Sequence, residues 1–148
     1  MTNNDVVNAV LAALEGKFPE LAIYGESMGQ GQTAPCFFVR LVAPTYDRMG
    51  GRRYKRTYPF DVQYFPNEPK EGEADTRVAE MHAVAEQLYD CLDYVALDDG
   101  LIRGSKLRYE IIDGVLHFFI NYDIHMVRQA EEVPLMSRLE QRGDIKDE

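Results

Sequence analysis

The sequence predicts an α+β domain in which two amphipathic helices pack on one face of a largely antiparallel or mixed sheet of about four to five strands, followed by a C-terminal tail. Three observations predict it: two segments with apolar residues at helical spacing, one long segment of strict alternation, and an Asp-Gly pair between two matching apolar rows. The 148 residues suffice for one domain, which at this length buries roughly 70% of its unfolded surface. With 45% hydrophobic and 28% charged residues the composition is that of a folded chain. The expected division is a single domain over 1–128 and a charged extension over 129–148.

The first helix is expected to be capped by Asn3 or Asn4, with Val6, Val7, Val10, Leu11 and Leu14 on its apolar side and Gly16 at its end. Leu21 to Tyr24 reads as a short strand, and Cys36 to Val42, apolar on both faces apart from Arg40, as a central one. From Tyr54 to Tyr64, Tyr54, Tyr58, Phe60, Val62 and Tyr64 alternate with polar residues, so one face is core. Arg56 interrupts that row, and Pro59 lacks a ladder donor, which predicts an edge strand or a bulge. Met49, Gly50 and Gly51 read as the tip of a hairpin with arms Phe37–Tyr46 and Arg52–Tyr64. A second helix is expected over 73–92, with Ala79, Val84, Ala85, Leu88 and Leu92 inward. Asp113-Gly114 suits a type I′ turn, whose register sets Ile111 against Leu116, Tyr109 against Phe118, Glu110 against His117, Leu107 against Ile120 and Lys106 against Asn121. Gly25–Ala34 and Pro66–Gly72 read as loops, and the tail after Arg128 carries Val133, Leu135, Met136 and Leu139 as candidate docking residues.

Charge is uneven. The chain totals -9, yet Arg40, Arg48, Arg52, Arg53, Lys55 and Arg56 against Asp47 make residues 40–56 +5, leaving -14 elsewhere. That balance argues against sequence-specific nucleic-acid binding by the whole surface and points to a basic patch that meets an acidic partner. No stretch is apolar enough to span a membrane, and the N-terminus lacks a signal-peptide layout, so a cytosolic protein with free thiols at Cys36 and Cys91 is expected.

Motifs for nucleophilic, nucleotide or zinc-dependent chemistry are absent. His117, Asp123 and His125 share a strand face with Asn121, but His117 and His125 stand about 26 Å apart along an extended strand, too far to share an ion. Asp123 and His125, with Asp61 or Glu110, form the remaining candidate metal set. A polar sheet face facing water or another subunit is the stronger reading, and neither cofactor nor catalytic residue is expected. His82 falls on the outer part of the second helix. The row Tyr54, Tyr58 and Tyr64 lies on the core face, which favours packing over base stacking.

GQGQTAPCFFVRLV at 29–42, followed by RRYKRTYPFDVQYFP at 52–66, resembles the tail terminator (tail completion) proteins of long-tailed phages and phage-like particles of Gram-positive bacteria, and the likeness covers about 4–127. The resemblance implies a homo-oligomer, usually a hexameric ring, on the head-proximal end of the tail tube. Its partners would be the tube protein, the head connector and, in contractile tails, the sheath. It further implies a place in the virion tail, after assembly in the host cytoplasm, and no catalytic residues. Arg48, Arg52, Arg53, Lys55 and Arg56 are the expected oligomer or tail interface. A head–tail connector subunit, a metal-dependent hydrolase and a nucleic-acid module using Arg48 to Arg56 stand as alternatives.

Overall fold

The computed structural model describes residues 2–26, 34–69, 71–72, 74–98 and 100–128. Helix α1 spans Asn3–Lys17, but its cap is Thr2 rather than an asparagine. The Thr2 hydroxyl accepts from the Asp5 N–H at 3.2 Å while the Asp5 carboxylate accepts from the Thr2 N–H at 2.8 Å. Such a reciprocal pair satisfies two otherwise unpaired donors, which a lone Asn side chain does not. Helix α2 spans Arg77–Leu92, starting later than the expected residue 73. It buries Met81, Val84, Ala85, Leu88 and Leu92, while Ala79 faces outward.

The strands are β1 (Ala22–Gly25), β2 (Cys36–Leu41), β3 (Thr45–Gly50), β4 (Arg53–Phe65), β5 (Tyr94–Leu97), β6 (Gly100–Ile112) and β7 (Val115–Val127). Their order is β1-β2-β4-β7-β6-β5, with β3 also on β4. Pairing is antiparallel except between β1 and β2, so the sheet is mixed. Two short strands beyond the expected four to five, β3 and β5, account for the larger count. Helix α1 touches both β1 and β5, the two ends of this order, so the sheet curls around it.

Strand β4 is central, not an edge: β7 pairs with it from Arg53 to Tyr64, while β2 and β3 share its other side. Pro59 is tolerated because the β2–β3 arm breaks opposite it. Ala43 takes φ 45°, and the Val42 N–H still reaches the Pro59 carbonyl at 2.7 Å. In an antiparallel strand a residue's N–H and C=O point to the same side, so the missing donor of Pro59 faces this break.

The Asp113-Gly114 turn has φ 51° and 75°, as type I′ requires, and the register from Ile112–Val115 to Arg108–Phe119 is the expected one. Farther along, a bulge intervenes. Ser105, not Lys106, lies opposite Asn121, and Gly104 lies opposite Tyr122. Lys106 sits at φ 55°, so the extra residue is taken up at Lys106–Leu107, and Leu107 loses its expected place facing Ile120.

The even-numbered faces of β4 and β7 are buried with α1 and α2 in one cluster that includes Val10, Leu14, Phe37, Tyr58, Phe60, Leu88, Phe118 and Ile120. Each such large side chain contributes about 1.5–3 kcal/mol on burial. Polar tips within it are satisfied. The Tyr122 hydroxyl donates to the Leu92 carbonyl at 2.6 Å, and the Tyr64 hydroxyl donates to Glu80. At the same junction the Gly104 N–H donates to the Asp93 carbonyl at 2.6 Å, joining the end of α2 to the start of β6.

Candidate interaction surface

Beyond the helix-covered core, β3, the first half of β4 and the end of β7 continue as a three-stranded ribbon. All six residues of β3 are exposed, and the turn at Gly51–Arg52 ends the β3–β4 hairpin. The expected tip is therefore present, with its first arm interrupted at Val42–Pro44. Register and alternation distribute the predicted cations over two faces. Tyr46 lies opposite Arg56 and Arg48 opposite Tyr54, which puts these four on the face that continues the core. Asp47 lies opposite Lys55, and Arg53 shares that second face. Arg52 occupies the turn itself.

The first face is a ladder of cations and aromatic rings. The guanidinium carbon of Arg56 stands 4.9 Å from the Tyr46 ring centre, and those of Arg48 and Arg128 stand 5.5 Å and 5.9 Å from that of Tyr54. The two rings themselves are 5.0 Å apart. Contacts of this kind contribute roughly 0.5–1 kcal/mol each where water has access. Arg48 and Arg56 thus help hold the ribbon, and the Arg128 N–H donates to the Arg52 carbonyl at 2.8 Å. Arg52 and Arg53 are the exposed cations at its tip. The pairing of Arg56 with Tyr46 was not legible in sequence, because it depends on how the β3 arm resumes after its break.

The face of the sheet opposite the helices carries the candidate metal residues, but the structure does not gather them. Asp61 is buried at 6% exposure, with both carboxylate oxygens 3.2 Å from His117 Nδ1 and one accepting from Gln63 at 3.1 Å. Asp123 accepts from Thr57 at 2.8 Å and from Ser105 at 3.2 Å. Glu110 is paired in register with His117, and His125 with Lys55. Among the described residues no three His, Cys, Asp or Glu side chains are placed to share an ion. Sequence alternation put Asp61 and His117 on this face; their contact needed the β4–β7 register. His117 stacks beside Phe119, over which Arg108 lies at 4.2 Å. His82 is exposed and its Nδ1 is 2.7 Å from the Tyr109 hydroxyl. The two cysteines are free thiols: burial raises Cys36, and Cys91 is pushed up to about 11. The tail residues Val133, Leu135, Met136 and Leu139 lie outside the described residues.

A family model described as "Phage tail terminator protein" matches residues 5–134. The chain belongs to that family. A tail terminator is a structural protein of the phage tail, and this places the chain in the virion tail, among other tail components. Comparison with curated proteins found no match. Among the solved structures that match, one is covered over 99% of its chain by 89% of this one, at 16% identity and a TM-score of 0.44, too distant a likeness to speak to function. No described helix of this tail terminator is long and apolar enough to cross a membrane.

Proposed function

We propose that copies of this chain, six in number, close into a ring on the head-proximal end of the tail tube, stop its polymerisation and offer the head connector a docking surface. Membership of the tail terminator family over residues 5–134 carries this reading. The projecting ribbon supports it, because a ring needs two different surfaces that meet around a closed axis. Arg48, Arg52, Arg53, Lys55 and Arg56 form the assembly surface, with Arg52 and Arg53 foremost. Their partners are acidic protein surfaces on a neighbouring copy, on the tube or, in a contractile tail, on the sheath. Copies carrying -9 each repel DNA over most of their surface, which favours protein contact for these cations.

Electron microscopy of purified tails mixed with gold-labelled chain tests the role. Label at one end of each tube is the expected result. Label along the tube, or none on tubes that lack their native cap, contradicts it.

A further inference from the structure

Beyond Gly104 and Ser105, which pair with Tyr122 and Asn121, β6 leaves β7 and pairs through Gly100–Arg103 with β5. Residues 123–127 of β7 therefore have β4 on one side and, among the described residues, no strand on the other. A cleft opens there, lined by Leu97, Leu101, Ile102, Asp123, Ile124 and His125. At the opposite border of the ribbon, β3 pairs with β4 and, among the described residues, has no strand on its outer edge. Each border presents backbone donors and acceptors that can template a further strand.

We propose that β3 of one copy adds to the Asp123–Val127 edge of the next, so that the ribbons join into one continuous sheet around the ring. This rests on the ring reading above and names the surfaces that close it. The two edges match in kind. Tyr46 and Met49 on β3 are 45% and 56% exposed, while Leu101 and Val127 beside the cleft are 71% and 68% exposed. Four of the seven exposed large apolar residues described thus lie on the two surfaces that would meet. Charge also matches, since Arg48, Arg52 and Arg53 accompany β3, and Asp123 lines the cleft.

Strand direction is compatible with closure into a ring. Strand β3 is antiparallel to β4, and β4 is antiparallel to β7, so β3 and β7 run the same way within a copy. Rotation by a sixth of a turn does not reverse a strand, so β3 meets the neighbouring β7 in parallel. A two-fold axis perpendicular to the sheet would instead pair β3 with β3, or β7 with β7, antiparallel.

Disulfide trapping tests the pairing. Asp47 lies opposite Lys55 and Lys55 opposite His125, so within one copy Asp47 and His125 are two strand spacings, about 10 Å, apart. That exceeds the reach of a disulfide, and a bond between them must join two copies. The full-length double variants D47C/H125C and D47C/V127C would be oxidised beside the wild type, which carries Cys36 and Cys91, and beside each single variant. All three positions are exposed, and unchanged melting of each variant would confirm folding. In rings verified by native mass, at least one double variant should give a reducible ladder rising to the size of the ring, and the single variants none. Rings without a ladder, dimers from D47C alone, or cross-links only to another tail protein would each overturn the pairing while leaving the ring intact or untouched. A chain that neither oligomerises nor caps tails would overturn the ring reading and the pairing together.

Discussion

Gly104 stands where β6 parts from β7, and replacing it with alanine tests the packing that sets this divergence. A Cβ there would lie 2.3 Å from Ile120 Cδ1, 2.9 Å from its Cγ1 and 3.3 Å from the Leu92 carbonyl oxygen. Ile120 is fully buried and cannot swing its end into solvent, and the carbonyl already accepts from Tyr122. Overpacking of this kind costs about 1–3 kcal/mol. Alanine also narrows the unfolded ensemble, which offsets roughly 0.4–1 kcal/mol. The expected net loss is about 1–2 kcal/mol, read as a fall in melting temperature of roughly 3–8 °C in a domain of this size. Adding Ile120→Val removes Cδ1, the nearest atom. Val alone costs about 0.5–1.5 kcal/mol, but the double variant should be more stable than the sum of the two singles, by about 1 kcal/mol. Denaturant unfolding of the four proteins measures this. A G104A protein as stable as the wild type, or strictly additive losses, would refute the reasoning.

Other expectations follow from the same structure. Gly114→Val forces a β-branched residue to φ 75° and should destabilise the hairpin by about 1 kcal/mol or more, measurable by thermal melting. Reversing Arg52 and Arg53 to Glu should leave melting nearly unchanged, since both are exposed, while ring formation or attachment to tails is lost; wild-type assembly should weaken as salt rises. Tyr122 and Tyr64 titrate above the ordinary 10.0 because burial disfavours the phenolate, with Glu80 adding to the effect at Tyr64. Raised folded values mean that their contribution to stability is complete below pH 10 and is lost as pH rises past it. Their phenolate absorbance should therefore appear together with alkaline unfolding rather than before it.

Much of this fold was legible because local chemistry and alternation agreed. Asp-Gly pinned the β6–β7 register through Arg108, and the aromatic row from Tyr54 to Tyr64 marked the core face of β4. The reading failed where one residue departs from local preference. Lys106 adopts a positive φ without being Gly, Asn or Asp, so nothing in the sequence announced the bulge. Pro59 signalled an edge or a bulge, yet β4 is central and pairs with β7 without a shift, because the break Pro59 needs is supplied by Val42–Pro44, distant in sequence. Thr2 was passed over as a cap although Asp5 stands three residues on, the spacing of a reciprocal pair. For the interaction surface, the clustering of cations was plain in the sequence. Their division between a tyrosine-backed face and an exposed tip came from the β3–β4 register. The edges of β3 and β7 that carry no strand among the described residues could not be foreseen, since an edge is defined by which strands are missing beside it.

The central claim is that this chain ends tube growth, and the length of tubes assembled in its presence tests that most directly. Tail-tube protein would be polymerised from short seeds with and without substoichiometric chain, and tube lengths followed by electron microscopy. The account predicts that tubes stop lengthening from the capped end while the free controls continue to grow. Tubes that elongate equally at both ends, with the chain bound to them, would contradict it.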